Sequence, residues 1–294
     1  MKERNNNYTD QAAVLARALP HIQQYQGKTI VVKYGGNAMI RTDLKAAVMQ
    51  DVILMSCIGI RTILVHGGGP EIEAMLHVLG KESRFVRGLR YTDAETMEIV
   101  QMVLCGKVNK NIVSLIQQQG GRAIGICGID GGLLQAKRLG TEDEDLGLVG
   151  EIETVDTSVL EGILHSRAIP VVSPVALGIG DAAGHALNIN ADMAAARIAL
   201  ALGAEKLLLM TDVPGLLRDV HDPDSLINVI TNTELAALKK EGIVSKGMIP
   251  KMDCCSLALE GGVKKVHIID GRVPHALLIA LFTHEEIGTM IETG

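Results

Sequence analysis

The stretch Thr29-Ile-Val-Val-Lys-Tyr-Gly-Gly-Asn37 joins a short β-branched run to a pair of glycines. The stretch Thr62-Ile-Leu-Val-His-Gly-Gly-Gly-Pro70 repeats this pattern further along the chain. Short β-branched runs that alternate with helical patterns are typical of a mainly parallel sheet with helices on its faces. The sequence therefore predicts an α/β fold.

Further predicted elements extend this alternation. A helix over 10–26 is expected to bend or break at Pro20, because a proline inside a helix removes a backbone hydrogen bond. Thr92 and Glu95 form a predicted capping box, which opens a long helix that ends at Gly120. The other predicted strands cover 123–127, 148–155, 169–175, 206–210 and 264–269, and the other predicted helices cover 70–79, 157–167, 191–202, 233–241 and 249–260.

The composition argues against several classes of protein. The 294 residues include 28 Lys and Arg against 34 Asp and Glu, so the formal net charge is −6. This balance, with 2% aromatic residues and no Trp, is unlike that of a nucleic-acid-binding protein. No apolar run reaches the ~18 residues of a membrane span, and residues 1–7 lack the apolar stretch of a signal peptide. Five scattered cysteines fit a reduced chain, so we expect a cytoplasmic protein.

Several common catalytic motifs are missing from the sequence, among them GxxxxGK[ST], GxGxxG after a strand, GxSxG and HExxH. What remains includes Lys33 ahead of Gly35 and Gly36, and the triple glycine that contains Gly68 and Gly69. A fixed cation and bare backbone amides are the parts that bind a phosphoryl group or another anion. The competing interpretations are a structural lysine at a tight turn and a flexible strand-to-helix turn.

Polar residues recur at every second position from Asn188 to Asp192, so an extended backbone would turn Asn188, Asn190 and Asp192 to one side. Two amides and a carboxylate at a strand-to-helix junction indicate a binding site. Alternatively, Asp192 is only the N-cap of the next helix. Pro250 suits the first turn of a helix, which puts Lys251 near the positive helix end. A cation there costs roughly 0.3–1 kcal/mol unless an anion shares the place, although an exposed lysine is the alternative.

Thr211 and Asp212 follow a predicted buried strand, and ligands gather beyond the carboxyl ends of parallel strands. A nucleotide ribose or a metal-linked phosphate would suit this position as a ligand. The alternative is a structural Pro-Gly turn at Gly215 with no ligand. Two lysines, amide donors and no plausible base together describe phosphoryl transfer by positioning and charge neutralisation. A carboxylate acceptor suits such a site, because it is already ionised at neutral pH.

Over residues 29–291 the chain resembles the amino acid kinase family. Five stretches carry the resemblance, namely 32–38, 64–70, 87–92 (Arg-Gly-Leu-Arg-Tyr-Thr), 188–192 (Asn-Ile-Asn-Ala-Asp) and 246–251 (Lys-Gly-Met-Ile-Pro-Lys). The resemblance implies a three-layer αβα sandwich around a mainly parallel central sheet. It also implies a helical extension at 1–27, an N-lobe at 28–205 for substrate binding and dimerisation, and a C-lobe at 206–294 for ATP.

Within that family, 87–92 and 188–192 are similar to members that use ATP to phosphorylate the γ-carboxylate of N-acetyl-L-glutamate in arginine biosynthesis. The resemblance implies that Lys33 and Lys251 stabilise the transferring phosphoryl group and that Asp192 orients both lysines. It assigns substrate binding to Gly68, Gly69, Arg90 and Asn188. It assigns ATP, with Mg²⁺ bridging the phosphates, to Asp212, Gly215, Leu217, Ile243, Val244 and Ser245. The arguments above from the residues themselves add Gly35, Gly36 and Thr211 to the predicted nucleotide site.

The resemblance also implies partners. The N-terminal helix is similar to the extension that interlaces homodimers into a homohexamer in arginine-inhibited members, and 266–272 is similar to that branch as well. Ala280 and Glu286 stand where that branch carries Glu and Gly, so we expect weak or absent inhibition by arginine. A PII-type signalling partner is a further expectation. The alternative functions are a kinase of aspartate, glutamate or carbamate, and a non-catalytic arginine or nitrogen sensor.

Overall fold

A computed structural model describes residues 2–39, 41–140, 145–219, 221–241, 248–283, 285 and 287–294. Within these residues, ten α-helices are numbered α1 to α10 in chain order. They cover Lys2–Tyr25, Thr42–Cys57, Gly69–Val78, Ala94–Gln101, Asn109–Gln118, Ser158–His165, Ala191–Ala201, Asn232–Lys240, Ile249–Glu260 and Ala276–Phe282.

The same residues contain fourteen strands, numbered β1 to β14. They cover Thr29–Tyr34, Arg61–His66, Phe85–Val86, Leu89–Arg90, Ala123–Cys127, Leu134–Arg138, Gly150–Val155, Ile169–Ser173, Val175–Gly178, Ala186–Asn188, Lys206–Thr211, Val229–Thr231, Lys265–Asp270 and Thr289–Glu292.

The central sheet has eight strands in the order β12-β14-β13-β11-β1-β2-β8-β5. Only its β13–β14 pairing is antiparallel among the pairings described, so the predicted mainly parallel sheet is confirmed. Helices α2, α5 and α10 form one packed group on the sheet, and α7 packs with α9. The result is the α/β fold with helices on both sides of the sheet that the sequence predicts.

β1 lies at the centre of this arrangement, because it pairs with β2 on one side and with β11 on the other. Strands from 206–294 therefore form one half of the sheet, and the other half comes from the preceding part of the chain. The division into two lobes near residue 205 stays a prediction.

A second sheet of four strands, in the order β10-β9-β6-β7, and the β3–β4 hairpin lie outside the central sheet. The single strand expected at 169–175 is wrong, because the chain changes sheets at Pro174. β8 belongs to the central sheet and β9 to the smaller one. Proline has no backbone N–H to donate to a ladder, so it suits a position between two strands.

The helix boundaries correct three further expectations. The break expected at Pro20 is wrong, because α1 runs through Pro20 from Lys2 to Tyr25, while the alternative of a bend at Pro20 stays a prediction. The expected capping box is wrong, because Asp93 is the N-cap of α4 and accepts a 2.7 Å hydrogen bond from the amide of Thr96. The long helix that follows contains a π-helical segment, Met102–Val108, between α4 and α5.

One helical stretch of the described chain, Ala94–Gln118, is long and apolar enough to cross a membrane by length and composition alone. Its side chains include Val103, Leu104, Ile112 and Ile116, all of which are buried in the hydrophobic core. This packing is typical of a core helix.

Candidate active site

The site forms where the carboxyl ends of β1, β2 and β11 meet. β1 is parallel to both neighbours, so Lys33 lies beside Val65 on one side and Leu209 on the other. The amide of Gly67 donates a 2.9 Å hydrogen bond to the carbonyl of Tyr34. This bond ties the start of the triple glycine to the end of β1.

Asp192 brings the two lysines together. Its Oδ1 lies 2.9 Å from the Lys33 ammonium, and its Oδ2 accepts a 2.7 Å hydrogen bond from Lys251. The side chains of Lys33 and Asp192 are each only 10% exposed, and that of Lys251 is 23% exposed. Two cations 218 positions apart in the sequence thus share one carboxylate.

Electrostatics keep the Asp192 carboxylate ionised. Burial is the largest influence and raises its pKa, but Lys33 and Lys251 together outweigh it and lower the pKa to about 2. Asp192 lies in the first turn of α7, where a negative charge is also favoured by the helix dipole.

Asn190 and Asn188 have other partners than the lysines. Asn190, and not Asp192, is the N-cap of α7, because its Oδ1 accepts hydrogen bonds from the amides of Asp192 and Met193. Asn188 ends β10, and its side-chain amide donates a 3.1 Å bond to Thr92 Oγ1. Asn188, Asn190 and Asp192 therefore bind different groups: a threonine hydroxyl, backbone amides of α7 and the two lysines, respectively.

Lys251 occupies the first turn of α9, with Pro250 at its start, as predicted. A cation is unfavourable at a helix N-terminus, but the ion pair with Asp192 offsets this cost for Lys251. Arg87 and Gly88, at the turn of the β3–β4 hairpin, face this pair across a cavity of about 710 Å³ that Asn190 also lines.

The triple glycine supplies unpartnered backbone amides. Gly68 is the N-cap of α3, which begins at Gly69. No described residue accepts a hydrogen bond from the amide of Gly68 or of Gly69. Leu104 packs so closely on Gly68 that a Cβ there would lie 2.5 Å from its Cδ2. Free amides at a helix N-terminus form an anion-binding place.

Arg90 lies beside these glycines. It is 8% exposed, its Nη2 is 3.4 Å from the Gly69 carbonyl, and its Nη1 donates a 2.9 Å bond to the exposed Glu73. The Phe85 ring lies under the guanidinium at 4.7 Å. Arg90 is therefore a buried cation whose carboxylate partner is on the surface.

The glycines after Lys33 leave room for charged groups. A Cβ on Gly35 would lie 2.7 Å from the Lys33 ammonium, and one on Gly36 would lie 2.6 Å from Asp212 Oδ2. Asp212 follows β11 directly, so the structure brings it to the end of β1. A side chain on Gly36 would meet both Asp212 and the strain of a backbone with φ +71°, whereas the flexible end of Lys33 can move away from a Cβ on Gly35.

The other residues expected at the nucleotide follow β11. Thr211 is buried, and its Oγ1 lies 2.9 Å from the carbonyl of Val213. A Cβ on Gly215 would lie 2.6 Å from Thr289 Oγ1, and Leu217 forms an isolated bridge with Leu226. The three other residues expected there lie outside the described residues: Ile243, Val244 and Ser245.

A buried polar cluster beside the triple glycine was not predicted from the sequence. His66 is fully buried, with Nε2 2.9 Å from Ser173 Oγ and 3.2 Å from the side-chain amide of Asn109. The only signal in the sequence is a histidine that directly precedes three glycines.

Comparison with known proteins identifies the family of this chain. The model of the amino acid kinase family matches residues 28–270. The chain belongs to the amino acid kinase family. The match begins directly after the predicted helical extension at 1–27.

Curated members of the family are similar over nearly the whole chain. The acetylglutamate kinase of Clostridium beijerinckii is 56% identical over 285 residues, which cover 97% of this chain and 99% of that protein. The acetylglutamate kinase of Desulfitobacterium hafniense is 54% identical, and 96% of each chain is covered. That of Nostoc sp. is 54% identical, with 95% and 92% covered.

Solved structures of the family share the fold. N-acetylglutamate synthase from Neisseria gonorrhoeae, in complex with coenzyme A and N-acetyl-glutamate, superposes with a TM-score of 0.84 at 28% identity. The match covers 96% of this chain and 63% of the synthase, so the chain spans less than two thirds of that protein. Carbamate kinase from Giardia lamblia, at 16% identity and a TM-score of 0.67, shares the fold over 91% of this chain and 99% of its own.

Proposed function

We propose that this protein transfers the γ-phosphoryl group of ATP to the γ-carboxylate of N-acetyl-L-glutamate, an early step of arginine biosynthesis. The observation that carries the proposal is the Asp192 carboxylate, which holds the ammonium groups of Lys33 and Lys251 together. Lys33 comes from β1, and the last residue of that strand, Tyr34, accepts a hydrogen bond from the first residue of the triple glycine. The full-length similarity to acetylglutamate kinases supports this substrate.

The chemistry asks for positioning and charge neutralisation. An oxygen of the γ-carboxylate bonds to the γ-phosphorus while the bond from that phosphorus to the β–γ bridging oxygen breaks. The products are N-acetyl-L-glutamyl 5-phosphate and ADP. No base is required, because the acceptor is already ionised. Lys33 and Lys251 neutralise the charge that spreads over the phosphoryl oxygens.

The substrate is proposed to lie between the triple glycine and Arg90. The amides of Gly68 and Gly69 would bind the acceptor carboxylate, and Arg90 would pair with the α-carboxylate in place of Glu73. A guanidinium can bind both oxygens of a carboxylate at once. Asn188 would donate to a polar group of the substrate.

The nucleotide is proposed to lie over Gly35, Gly36 and the segment after β11, with Mg²⁺ on its phosphates. Among the described residues, no three His, Cys, Asp or Glu side chains cluster closely enough to hold a metal ion. When bound, Mg²⁺ neutralises phosphate charge. Asp212, Gly215 and Leu217 would contact the nucleotide.

We also infer that the N-lobe binds the substrate and the C-lobe ATP, and that the protein is cytoplasmic. A homodimer that assembles into a homohexamer is supported by α1, which exposes Val14, Leu15 and Leu19. A PII-type protein is the proposed signalling partner.

Inhibition by arginine is proposed to be weak or absent. Ala280 has no carboxylate to offer a guanidinium, and Glu286 lies outside the described residues. Arginine titrated into a steady-state assay tests this. Inhibition at micromolar arginine would contradict it.

The substrate is tested in a coupled assay that compares N-acetyl-L-glutamate with aspartate, glutamate and carbamate. We expect turnover of N-acetyl-L-glutamate to dominate. Comparable turnover of aspartate or carbamate would contradict N-acetyl-L-glutamate as the substrate. A sensor without catalytic activity is not favoured, because such a protein would need neither lysine. If the protein were a sensor, the assay would show no turnover of any of these acids.

The role of Lys251 is tested by Lys251→Met. We expect kcat to fall by about 10²-fold or more, with binding of N-acetyl-L-glutamate retained, since removing one charge-stabilising donor has this effect. Lys239→Met is the control. Lys239, like Lys251, forms an ion pair with an aspartate, but its partner is Asp253 and not Asp192. Equal kcat values for the two variants would refute the assignment.

A further inference from the structure

His66 ends β2 in full burial, directly before the triple glycine, and the reaction described above does not use it. Its Nδ1 lies 2.7 Å from the carbonyl oxygen of Gly67. A carbonyl oxygen can only accept a hydrogen bond, so Nδ1 must carry the proton. The imidazole therefore donates to the backbone of the first glycine.

The far side of the ring is held by two other elements. Ser173, at the end of β8, and Asn109, at the start of α5, are both fully buried and lie within 3.2 Å of Nε2. Because Nδ1 carries the proton, a neutral ring presents its lone pair at Nε2 and accepts from one of them. Burial, together with Lys110, lowers the pKa of His66 to about 4, so the ring is neutral near pH 7.

The partners of the ring are themselves fixed. Ser173 Oγ lies 3.1 Å from the carbonyl of Leu104 in the π-helical segment, and the Asn109 side-chain amide donates a 2.9 Å bond to the carbonyl of Val171. The ring therefore has little freedom to rotate, and neither does the carbonyl to which it donates.

The peptide bond transmits this restraint to the site. The carbonyl of Gly67 and the N–H of Gly68 belong to one planar trans peptide, so they point in opposite directions. Glycines on both sides place few limits on the rotation of this peptide. The hydrogen bond from His66 draws the carbonyl towards the interior and turns the Gly68 amide, which no described residue accepts from, away from it.

We propose that His66 is a positioning residue, which aims the amide of Gly68 at the acceptor carboxylate by holding the carbonyl of Gly67. This inference rests on the proposed function. A group that orients a contacting donor in this way commonly changes activity by about 10- to 100-fold when it is removed.

Two substitutions separate positioning from packing. In His66→Asn, the side-chain amide nitrogen takes the place of Nδ1 and can still donate to Gly67. In His66→Gln, the amide nitrogen takes the place of Nε2, so the bond to Gly67 is lost while more of the ring volume is filled. Thr62→Val is the control, because Thr62 is buried on the same strand and bonds a backbone carbonyl near the opposite end.

We expect His66→Gln to lower kcat/KM for N-acetyl-L-glutamate by about tenfold or more, with the KM for ATP within about twofold of wild type. His66→Asn should restore most of that loss, although the larger cavity makes it the less stable variant. Thr62→Val should leave kcat/KM unchanged. A purely structural role predicts the reverse order, because activity would then follow stability.

Equal kcat/KM in wild type and His66→Gln, or a loss that follows the melting temperature, would overturn the inference. Absence of turnover by the wild type would instead overturn the proposed function. If neither variant folds, ¹⁵N NMR of the histidines in the wild-type chain tests whether the His66 ring carries its proton on Nδ1. We expect His66 to give the signals of a buried neutral ring with its proton on Nδ1, whereas His267, which bonds the Ile287 carbonyl through Nε2, reports the other tautomer. A spectrum without a buried Nδ1–H ring overturns the inference.

Discussion

Gly36 and Gly80 separate two reasons for a glycine at the scale of one residue. Both have a positive φ, +71° and +68°, which a residue with a Cβ adopts only with strain. Around Gly80 there is open space, whereas a Cβ on Gly36 would lie 2.6 Å from Asp212 Oδ2. A comparison of the two therefore isolates the effect of crowding at the proposed nucleotide end of the site.

We expect Gly36→Ala to lower kcat/KM for ATP by at least about tenfold, because displacement of Asp212 misplaces the nucleotide. Gly80→Ala should lose a similar ~1 kcal/mol of stability to backbone strain and keep its kinetics. Steady-state kinetics at varied ATP, with urea unfolding, check both. Equal kinetic losses in the two variants would show that crowding at Asp212 is unimportant.

Asp192, which is proposed to orient the two lysines, also makes the stability of the fold depend on pH. Its folded pKa of about 2 is below the ~3.9 of an unfolded chain, so its ionised form stabilises the fold above pH ~4. That contribution, roughly 2–3 kcal/mol, is lost as the pH falls from about 4 to about 2. Asp192→Asn also leaves two lysines unpaired, so we expect lower kcat at pH 7.

Urea unfolding of wild type and Asp192→Asn from pH 6 downwards measures this difference. We expect the gap between the two free energies of unfolding to narrow below pH ~4. A gap that stays constant to pH ~2.5 would contradict the assignment of the low pKa to Asp192.

At the scale of elements, a contact between the side chains of Asp51 and His275 joins α2 to the start of α10. Asp51 is fully buried, and its Oδ1 lies 2.6 Å from Nδ1 of His275, the N-cap of α10. Burial raises the pKa of Asp51 to about 6, although His275 and the amides of Leu277 and Leu278 oppose the shift. The wild type therefore loses stability from this group as the pH rises from about 4 through about 6.

Asp51→Asn lacks this titration, so its stability relative to wild type should rise with pH by up to about 3 kcal/mol between pH ~4 and ~7. Asp43→Asn is the control on the same helix. Asp43 is exposed and Arg41 lowers its pKa, so that variant should show no such rise. Urea unfolding at stepped pH measures both, and parallel curves for Asp51→Asn and wild type would contradict the prediction.

The elements also show what local patterns can predict. Apolar runs such as β1, β2 and β11 were predictable from local pattern. The role of Asp192 toward Lys33 and Lys251 was implied only by the resemblance to the amino acid kinase family. α2 was not predicted, because its buried face includes the charged Asp51 and its later residues are apolar nearly all round. Strands of two or three residues, such as β3 and β12, are too short to show alternation.

Contacts between distant residues set a second limit on prediction. His66 meets Ser173 across 107 positions and Asn109 across 43, and no periodicity in the sequence pairs them. The same holds for the order of strands, since β11 pairs with β1 although nine other described strands lie between them in the sequence. Tertiary packing decides such pairings, and local patterns do not report it.

At the scale of the whole molecule, α1 exposes apolar side chains that a single chain leaves uncovered. Val14, Leu15 and Leu19 are 56%, 74% and 52% exposed, while the end of the helix is anchored by Tyr25 against Phe282. Helices with exposed apolar groups commonly bind a partner. In the proposed hexamer, the partner is α1 of another dimer.

Replacement of Leu15 and Leu19 by Ser should therefore convert hexamers into dimers, because it removes the apolar area that joins α1 to its counterpart. Light scattering should show a fall from about six to about two times the chain mass of 31.3 kDa. Leu79→Ser is the control, since Leu79 is equally exposed, at 53%, but lies after α3. A double variant that keeps the wild-type mass, or a wild type that is already a dimer, would contradict assembly through α1.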